Sequence, residues 1–387
     1  MGAGLITVPT LANAEETPNS VLTAVSSTTL SGYVDTSAQW NFGTGNANVP
    51  NYAFGGSSKA DGFNLNVVKL TLEKPVDTEE AWGAGYKADL LFGPDANSLA
   101  TQSLFGNGST ASQGDFAIKQ AYVALRAPLG NGLDVKMGVF DTILGYEVFE
   151  SINNPNFTRS YGYTIEPTTH TGVLASYKFA DFLSASFGVA NTYGSTINQR
   201  AFYDKAESYK TYLGSVALTA PESWGFLAGS TLSGAIINGF NSAAVAYGGP
   251  ADQTSVYVGA VVNTPVKGLK VGASYDYAAV DDQPLTADES SYANATALYA
   301  SMQLTEKLTF HVRGEYASSG AASTFMAEKV YAATGTLQYD LWKNVVSRLE
   351  FRWDHADSGT PYGGSTAGEP GDNADSYILM ANIAYRF

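Results

Sequence analysis

The end of the chain alternates strictly between two kinds of side chain. One parity carries Met380, Asn382 and Arg386. The other parity is apolar or aromatic: Tyr377, Leu379, Ala381, Ile383, Tyr385 and Phe387. A two-residue period is typical of a β-strand whose two faces meet different surroundings. Because a strand at a free sheet edge invites pairing with other chains, a chain that ends within an aromatic strand predicts that this strand pairs with the first one and closes a barrel.

Composition narrows the class of protein. The 387 residues include no cysteine, which excludes disulfides and thiolate chemistry. Charged residues make up 15%, below the roughly 25% of soluble domains. Mean hydropathy is −0.08, and no apolar run of about 18 residues follows the N-terminal segment, so membrane-spanning helices are excluded. The net charge of −15 argues against nucleic acid as a partner.

Segments with the same two-residue period recur along the whole chain. In one of them Leu133, Val135 and Met137 alternate with Asp134 and Lys136. About sixteen strands are predicted, an even number as in single-chain bacterial membrane barrels. They are 30–42, 63–74, 82–92, 116–127 (of unclear phase), 133–139, 170–179, 182–193, 209–220, 226–240, 253–264, 269–277, 292–304, 308–316, 331–341, 348–354 and 377–387.

The connections between these strands alternate in length. Short ones contain Pro or Gly, as at 74–75, 128–132, 221–225 and 265–268. Long polar ones lie at 43–62, 94–115, 141–167, 194–208, 241–252, 281–291, 319–327 and 357–374. Membrane barrels have short periplasmic turns and long external loops. We therefore expect an all-β fold, a transmembrane antiparallel β-barrel of about sixteen strands that forms one domain over residues 28–387.

The polar parity of the strands is expected to face a lumen. A barrel of about sixteen strands leaves room for water inside, where charged side chains remain solvated. The predicted lumen-lining residues are Lys87, Asp89, Lys136, Lys178, His311, Arg313, Glu315, Arg348, Glu350 and Arg352.

Loop 141–167 is the longest connection and differs from the others in its apolar residues. Ile143, Leu144 and Phe149 are unexpected in a loop surrounded by water, so we expect the loop to fold inward and pack on the barrel wall. Charged residues at a constriction set the selectivity of pores. The predicted constriction residues are Asp141, Glu147, Glu150 and Arg159. The alternative is that the loop caps the barrel from outside.

The N-terminal segment resembles part of a secretion signal. Residues 1–14 are apolar and end in Ala12-Asn13-Ala14, which fits a signal-peptidase site, although a basic start is missing. We expect 1–14 to be a signal-peptide remnant and 15–27 a flexible N-terminal segment. A disordered tail is the alternative.

Region 130–193 contains a group of short motifs: Gly138-Val-Phe-Asp-Thr142, Gly145-Tyr-Glu147, Asn154-Pro-Asn-Phe157, Arg159-Ser-Tyr161 and 167–172. In these motifs the chain resembles the OmpL-like β-barrel porin family, and its aromatic last strand resembles the recognition end of outer-membrane barrels. This resemblance implies an outer-membrane pore for small hydrophilic solutes in a Gram-negative-type bacterium. Outer-membrane lipids and lipopolysaccharide would surround it, and a homotrimer is left open.

Other functions receive little support from the residues. His170, His311 and His355 have no recognisable partner serine, so no catalytic residue is predicted. Loop acid clusters such as Asp372 and Asp375 lack the spacing of a calcium loop, so no metal or cofactor site is predicted.

The preferred function is a passive porin. A substrate-selective channel and a plugged structural or adhesion barrel are the alternatives, and the acidic excess favours cations.

Overall fold

The computed structural model describes residues 27–43, 45–77, 82–99, 101, 114–201, 206–241, 251–280, 291–320, 324–369 and 371–387. These contain sixteen strands: β1 (Thr29–Asn41), β2 (Gly62–Lys74), β3 (Gly83–Phe92), β4 (Phe116–Ala127), β5 (Leu133–Asp141), β6 (Thr169–Ala180), β7 (Leu183–Ala190), β8 (Thr211–Thr219), β9 (Thr231–Asn241), β10 (Ala251–Asn263), β11 (Leu269–Val280), β12 (Ser291–Gln303), β13 (Leu308–Ser319), β14 (Lys329–Trp342), β15 (Val345–Ala356) and β16 (Asp375–Arg386). Two short helices, α1 (Pro94–Leu99) and α2 (Tyr161–Ile165), lie in loops. No helix in these ranges is long and apolar enough to span a membrane.

The strands form one closed antiparallel barrel in which each strand pairs with its sequence neighbours. The first and last strands complete the ring, with registers that run from Tyr33 opposite Arg386 to Asn41 opposite Ile378. Gly32 and Phe387 exchange two backbone hydrogen bonds of 3.0 Å at the end of this pairing. The prediction that the aromatic last strand closes the barrel is therefore confirmed, as is the predicted fold class.

The two faces of the strands differ in chemistry. Outward side chains such as Met137, Phe187 and Leu298 are 60–68% exposed. Inward side chains such as Asp89, Thr336 and Arg352 are fully buried. No second layer of described protein covers the apolar outer face, which suits hydrocarbon better than water.

A β-bulge explains why strand 116–127 had no clear phase. Asp89 of β3 lies opposite Gln120 of β4, whereas the next residue, Leu90, lies opposite Ile118. Lys119 is therefore the extra residue of the bulge, and the alternation of β4 changes phase there. Both Lys119 and Gln120 are buried.

The main deviation from the predicted strands lies before β9. The predicted strand 226–240 begins only at Thr231, because a 3-10 helix occupies Glu222–Leu227. Gly225 has a φ of 62° within that helix, where a side chain would be strained. The connection predicted as 221–225 consequently spans 220–230. The predictions for 1–14 and for most of 15–27 lie outside the described residues.

Candidate functional site

Loop 141–167 runs through the barrel and reaches the wall opposite its own strands. It leaves β5 and returns to β6, whereas β13 to β15 lie on the far side of the ring. The Asn156 amide donates to the Thr336 hydroxyl of β14 at 2.7 Å. Asn153 accepts a hydrogen bond from Arg386 of β16 at 3.1 Å. The loop therefore crosses the interior from one side to the other.

A carboxylate of the far wall binds the backbone of the loop. Glu350 of β15 accepts hydrogen bonds from the N–H groups of Phe157, at 2.5 Å, and Thr158, at 2.9 Å. It also accepts one from the Thr336 hydroxyl at 2.6 Å. Hydrogen bonds to an ionised acceptor are about twice as strong as neutral ones. Glu350 thus fixes the position of the loop's tip.

Three guanidinium groups of β13 and β15 bind loop carbonyl groups beside Glu350. Arg313 donates to the carbonyl oxygen of Thr158 at 2.6 Å, and Arg352 to that of Arg159 at 2.7 Å. Arg348 donates to the carbonyl of Ser151 at 2.9 Å. We call these three residues the arginine strip. All three are at most 4% exposed, so they contact the loop rather than open solvent.

Carboxylates neutralise part of the arginine strip. Arg313 pairs with Glu147 of the loop at 2.8 Å and with Glu315 of its own strand at 2.6 Å. Arg352 pairs with Asp354 at 2.8 Å. Buried charges are tolerated when they are paired and hydrogen-bonded, and these contacts meet that condition.

The near side of the loop is fixed by two lysines. Glu150 forms ion pairs with Lys69 of β2 and with Lys119 of β4. Burial alone would raise the pKa of Glu150, but these ammonium groups lower it well below its usual value. Lys119 also pairs with Asp141 at the end of β5. The bulged position of Lys119 brings it to both carboxylates.

Arg159 stabilises the loop itself. Its guanidinium donates to the carbonyl groups of Phe157, at 2.6 Å, and Val148, at 3.1 Å. It also lies 5.3 Å from the ring centre of Phe54 and 5.7 Å from that of Tyr163. Arg159 is 4% exposed. Its charge therefore faces the interior of the loop and not an open bore.

Local structure orients α2 against the wall. Ser160 caps the helix, and its hydroxyl accepts from the Tyr163 N–H at 3.2 Å. The Ser160 N–H donates to Glu147 at 2.8 Å. The Tyr161 hydroxyl donates to Asp354 at 2.8 Å. Burial raises the pKa of Tyr161, so this phenol remains a donor at ordinary pH.

The apolar residues of the loop pack on other parts of the barrel. Ile143 and Leu144 belong to a buried cluster with Leu174, Leu213 and Ile237 of β6, β8 and β9. Phe149 packs edge to face on Phe54, with ring centres 5.1 Å apart. Burial of these side chains favours the inward position by the hydrophobic effect.

The remaining predicted lumen residues lie away from the loop contacts, with one exception. Lys87 pairs with Glu73 at 3.4 Å, and Lys136 lies over the Tyr122 ring at 4.8 Å. Both are partly exposed on the inner wall. Lys178 is at the end of β6, pairs with Asp181 and is largely exposed. Asp89 is the exception, because it is fully buried next to Lys69 at 3.0 Å, beneath the loop.

Several site residues were absent from the sequence-based set. Lys69 and Lys119 bind the loop, Tyr299 stacks on Tyr146 with ring centres 4.0 Å apart, and Asp276 contacts α2. Lys69 lay on the polar parity of its strand and could have been included on that signal. Lys119 could not have been included in this way, because the bulge makes it unclear from the sequence which residues of β4 face inward.

A serine and a histidine on neighbouring strands form a pair inside the barrel. The Ser301 hydroxyl lies 2.7 Å from Nδ1 of His311, on neighbouring strands. Nε2 of His311 has no hydrogen-bond partner among the described residues, so no carboxylate orients the ring as in a catalytic triad. Within the same residues no group of three or more His, Asp or Glu is placed to bind a metal ion.

Several solved structures have the same architecture. The outer membrane channel DcaP of Acinetobacter baumannii is 16% identical, with a TM-score of 0.62 over 93% of this chain and 97% of that one. The anion-selective porin of Comamonas acidovorans is also 16% identical, with a TM-score of 0.60 over 93% and 99%. OmpF of Salmonella typhi is 15% identical, with a TM-score of 0.58 over 93% and 97%. At such identities the likeness concerns the fold.

No curated protein sequence matches the chain at a significant level. A family model does match: "beta-barrel porin-2, OmpL-like" aligns with residues 27–387. This span contains all sixteen strands and loop 141–167. The resemblance read from 130–193 is thereby confirmed over nearly the whole chain, and the protein belongs to the OmpL-like beta-barrel porin family of the outer membrane.

Proposed function

We propose that the barrel allows passive diffusion of small hydrophilic solutes or ions, and that loop 141–167 sets the size of the passage. The main support is that the loop binds the wall in two places, through Lys119 of β4 beside its own strands and through Glu350 of β15 on the far side. A segment fixed in this way keeps the lumen narrow without closing the barrel's ends. Asp141, Glu147, Glu150 and Arg159 then act chiefly by fixing the loop, since all four are engaged in ion pairs or hydrogen bonds.

The passage is proposed to follow the wall of β3 to β8. Inward residues there keep partial exposure, including Lys87, Lys136, Ser176 and Ser186, whereas the arginine strip is covered. The excess of acidic residues in the chain is therefore a poor guide to the charge that a solute meets. Glu147, Glu150 and Asp354 are each paired with a cation.

Single-channel recording of the refolded protein in planar bilayers tests this function. We expect discrete conductance steps, and a larger step after deletion of residues 147–159, because the deletion removes the part of the loop that crosses the lumen. Equal steps in the two proteins would contradict the role of the loop. A saturable block by one solute would identify a substrate-selective channel instead. Absence of steps in both proteins would favour a plugged structural or adhesion barrel.

Other aspects of the proposal concern partners and chemistry. The apolar outer face is proposed to contact outer-membrane lipids and lipopolysaccharide. A homotrimer is compatible with the architecture, since one of the solved structures of the same fold, OmpT of Vibrio cholerae at 12% identity and a TM-score of 0.55, is described in a trimer form. No catalytic activity is proposed, because the Ser301 and His311 pair has no orienting carboxylate among the described residues.

A further inference from the structure

Four inward side chains, Lys136, Ser176, Ser186 and Ser215, form a polar row on the wall of β5 to β8. Ser176 of β6 lies opposite Ser186 of β7, which in turn lies opposite Ser215 of β8. Lys136 of β5 lies opposite Leu174, two residues from Ser176 and on the same face of the sheet. All four polar side chains are half-buried, so a solute inside the barrel can reach them.

The polar row is the next polar layer beneath the place where loop 141–167 packs on this wall. The buried cluster that includes the apolar loop residues takes Phe140, Leu174, Ala190 and Leu213 from the same four strands. The polar row lies two or four residues closer to the short turns on each strand. A solute that follows the proposed passage along β3 to β8 therefore meets the row directly below the loop.

Lys136 gives the row a positive charge without a partner. In the described part of the chain it forms no ion pair, and its ammonium group lies 4.8 Å from the ring centre of Tyr122. The other cations nearby on β3 and β4 have carboxylate partners: Lys87 pairs with Glu73 at 3.4 Å, and Arg126 pairs with Asp134 at 2.9 Å. One of these three cations is thus left without a counter-charge, which favours a solute with a single negative charge.

The three serines offer hydrogen bonds beside this charge. The hydroxyl oxygens of Ser176 and Ser186 lie 2.8 Å apart. Each hydroxyl has one hydrogen, and only one of the two hydrogens is used between them, so the pair keeps a donor for a solute. Ser215 adds a third hydroxyl one strand further along. Since neighbouring strands are about 4.8 Å apart, the row extends over about 14 Å of wall from β5 to β8.

We propose that the polar row is a binding subsite for solutes that carry one carboxylate and several hydroxyl groups, as sugar acids do. The carboxylate binds the ammonium group of Lys136, and the solute's hydroxyl groups bind the serines. The subsite rests on the proposed channel function, for which it names the preferred class of solute. Its partial exposure suits transport, because a solute in a channel must bind weakly enough to leave.

Lys136 and the serines contribute to binding in different ways. Two opposite unit charges about 6 Å apart in water attract each other enough to change a binding constant about threefold. A hydrogen bond between neutral groups changes it about two- to tenfold. Salt weakens only the first contribution, because the Debye length falls from about 10 Å at 0.1 M to about 3 Å at 1 M. A solute that uses both contributions should therefore bind more tightly than one that uses either alone.

Binding constants from solute-induced current noise in planar bilayers test the subsite. Gluconate carries a carboxylate and hydroxyl groups, whereas acetate lacks the hydroxyl groups and sorbitol lacks the charge, so gluconate should bind most tightly. Lys136→Gln should weaken gluconate binding about threefold in about 0.1 M KCl and less in about 1 M KCl. It should leave sorbitol binding unchanged. Lys267→Gln, in the exposed turn before β11, is the matched control and should behave like the wild type.

Ser186→Ala tests the hydroxyl contribution. It should weaken gluconate binding about two- to tenfold and leave acetate binding unchanged, and Ser358→Ala, in an exposed external loop, is its matched control. Three outcomes would overturn the subsite. Gluconate, acetate and sorbitol could bind equally well, or gluconate could bind the wild type and Lys136→Gln equally well. The third is tighter binding of sulfate than of gluconate, which would assign the wall to anions in general.

The subsite and the channel can fail separately. If neither the wild type nor the 147–159 deletion conducts, the proposed function is wrong. Acylation of Lys136 by an amine-reactive ester, followed by mass spectrometry, then decides the subsite alone. Gluconate should slow acylation of Lys136 more than acetate or sorbitol does, and should not slow acylation of Lys267. An equal rate at Lys136 with and without gluconate would refute the subsite.

Discussion

Replacement of Glu350 by alanine should detach the tip of loop 141–167 from the far wall. The carboxylate accepts two backbone N–H groups of the loop, from Phe157 and Thr158, and the hydroxyl of Thr336. Alanine provides no acceptor for these donors. The Thr158 site is buried and the Phe157 site partly so.

The expected size of the effect follows from the two backbone donors. A buried donor without a partner costs about 1–3 kcal/mol, so loss of both weakens docking by about 2–6 kcal/mol. Since about 1.4 kcal/mol corresponds to a factor of ten, the ratio of docked to undocked loop should fall by at least about tenfold. Glu350→Gln retains one carbonyl acceptor and should give an intermediate effect.

Conductance steps in planar bilayers, together with amide hydrogen exchange at 157 and 158, measure this change. Glu350→Ala should raise both the conductance and the exchange rates, and the barrel should remain folded. Asp340→Ala is the matched control, because Asp340 lies on the inner parity of the neighbouring strand, is exposed, and its carboxylate accepts a hydrogen bond from Gln338 rather than from the loop. Unchanged exchange at 157 and 158 in Glu350→Ala would refute the view that this carboxylate positions the loop.

Two further predictions concern the barrel. Leu298→Arg, at the middle of β12 where the side chain is 62% exposed, should destabilise the protein in lipid vesicles by about 2–4 kcal/mol in urea titrations. Leu304→Arg in the following turn should cost about 0–1 kcal/mol. Equal effects would contradict a hydrocarbon-facing surface. Gly32→Ala should lower the melting temperature, because its Cβ would lie 2.1 Å from the Lys69 carbonyl oxygen and 2.7 Å from the Phe387 ring. Gly314→Ala should leave the melting temperature unchanged, because there is open space at its Cβ. The reverse order would show that the β1–β16 pairing tolerates a side chain at position 32.

The sequence was sufficient to predict the barrel, because the same alternation of side chains recurs from strand to strand. Side chains of one parity meet an apolar surrounding and those of the other meet the interior, so the period of two survives in nearly all strands. The strand 116–127 was predicted with the observed bounds, but its phase was unclear because the extra residue Lys119 breaks the alternation. The prediction was wrong at 226–230, where apolar Phe226 and Leu227 belong to a 3-10 helix.

The inward loop was accessible to sequence reasoning only in part. Ile143, Leu144 and Phe149 indicated that the loop needed a surface to pack on. Nothing in the sequence indicated which wall it would reach, because Glu350, Arg313 and Arg352 bind its backbone atoms. Every residue offers such N–H and carbonyl groups, so no side-chain pattern in the loop corresponds to these partners.

Backbone recognition also changes how the wall charges should be interpreted. On parity alone, Arg348, Glu350 and Arg352 were expected to be solvated groups that act on passing ions. Their near-complete burial means that their charges are satisfied by loop carbonyl groups, loop N–H groups and neighbouring carboxylates. Opposite charges in contact partly cancel each other's field at a distance. We therefore infer that substitutions in this strip act on permeation mainly by moving the loop, and that charge selectivity depends instead on exposed inner residues such as Lys87 and Lys136.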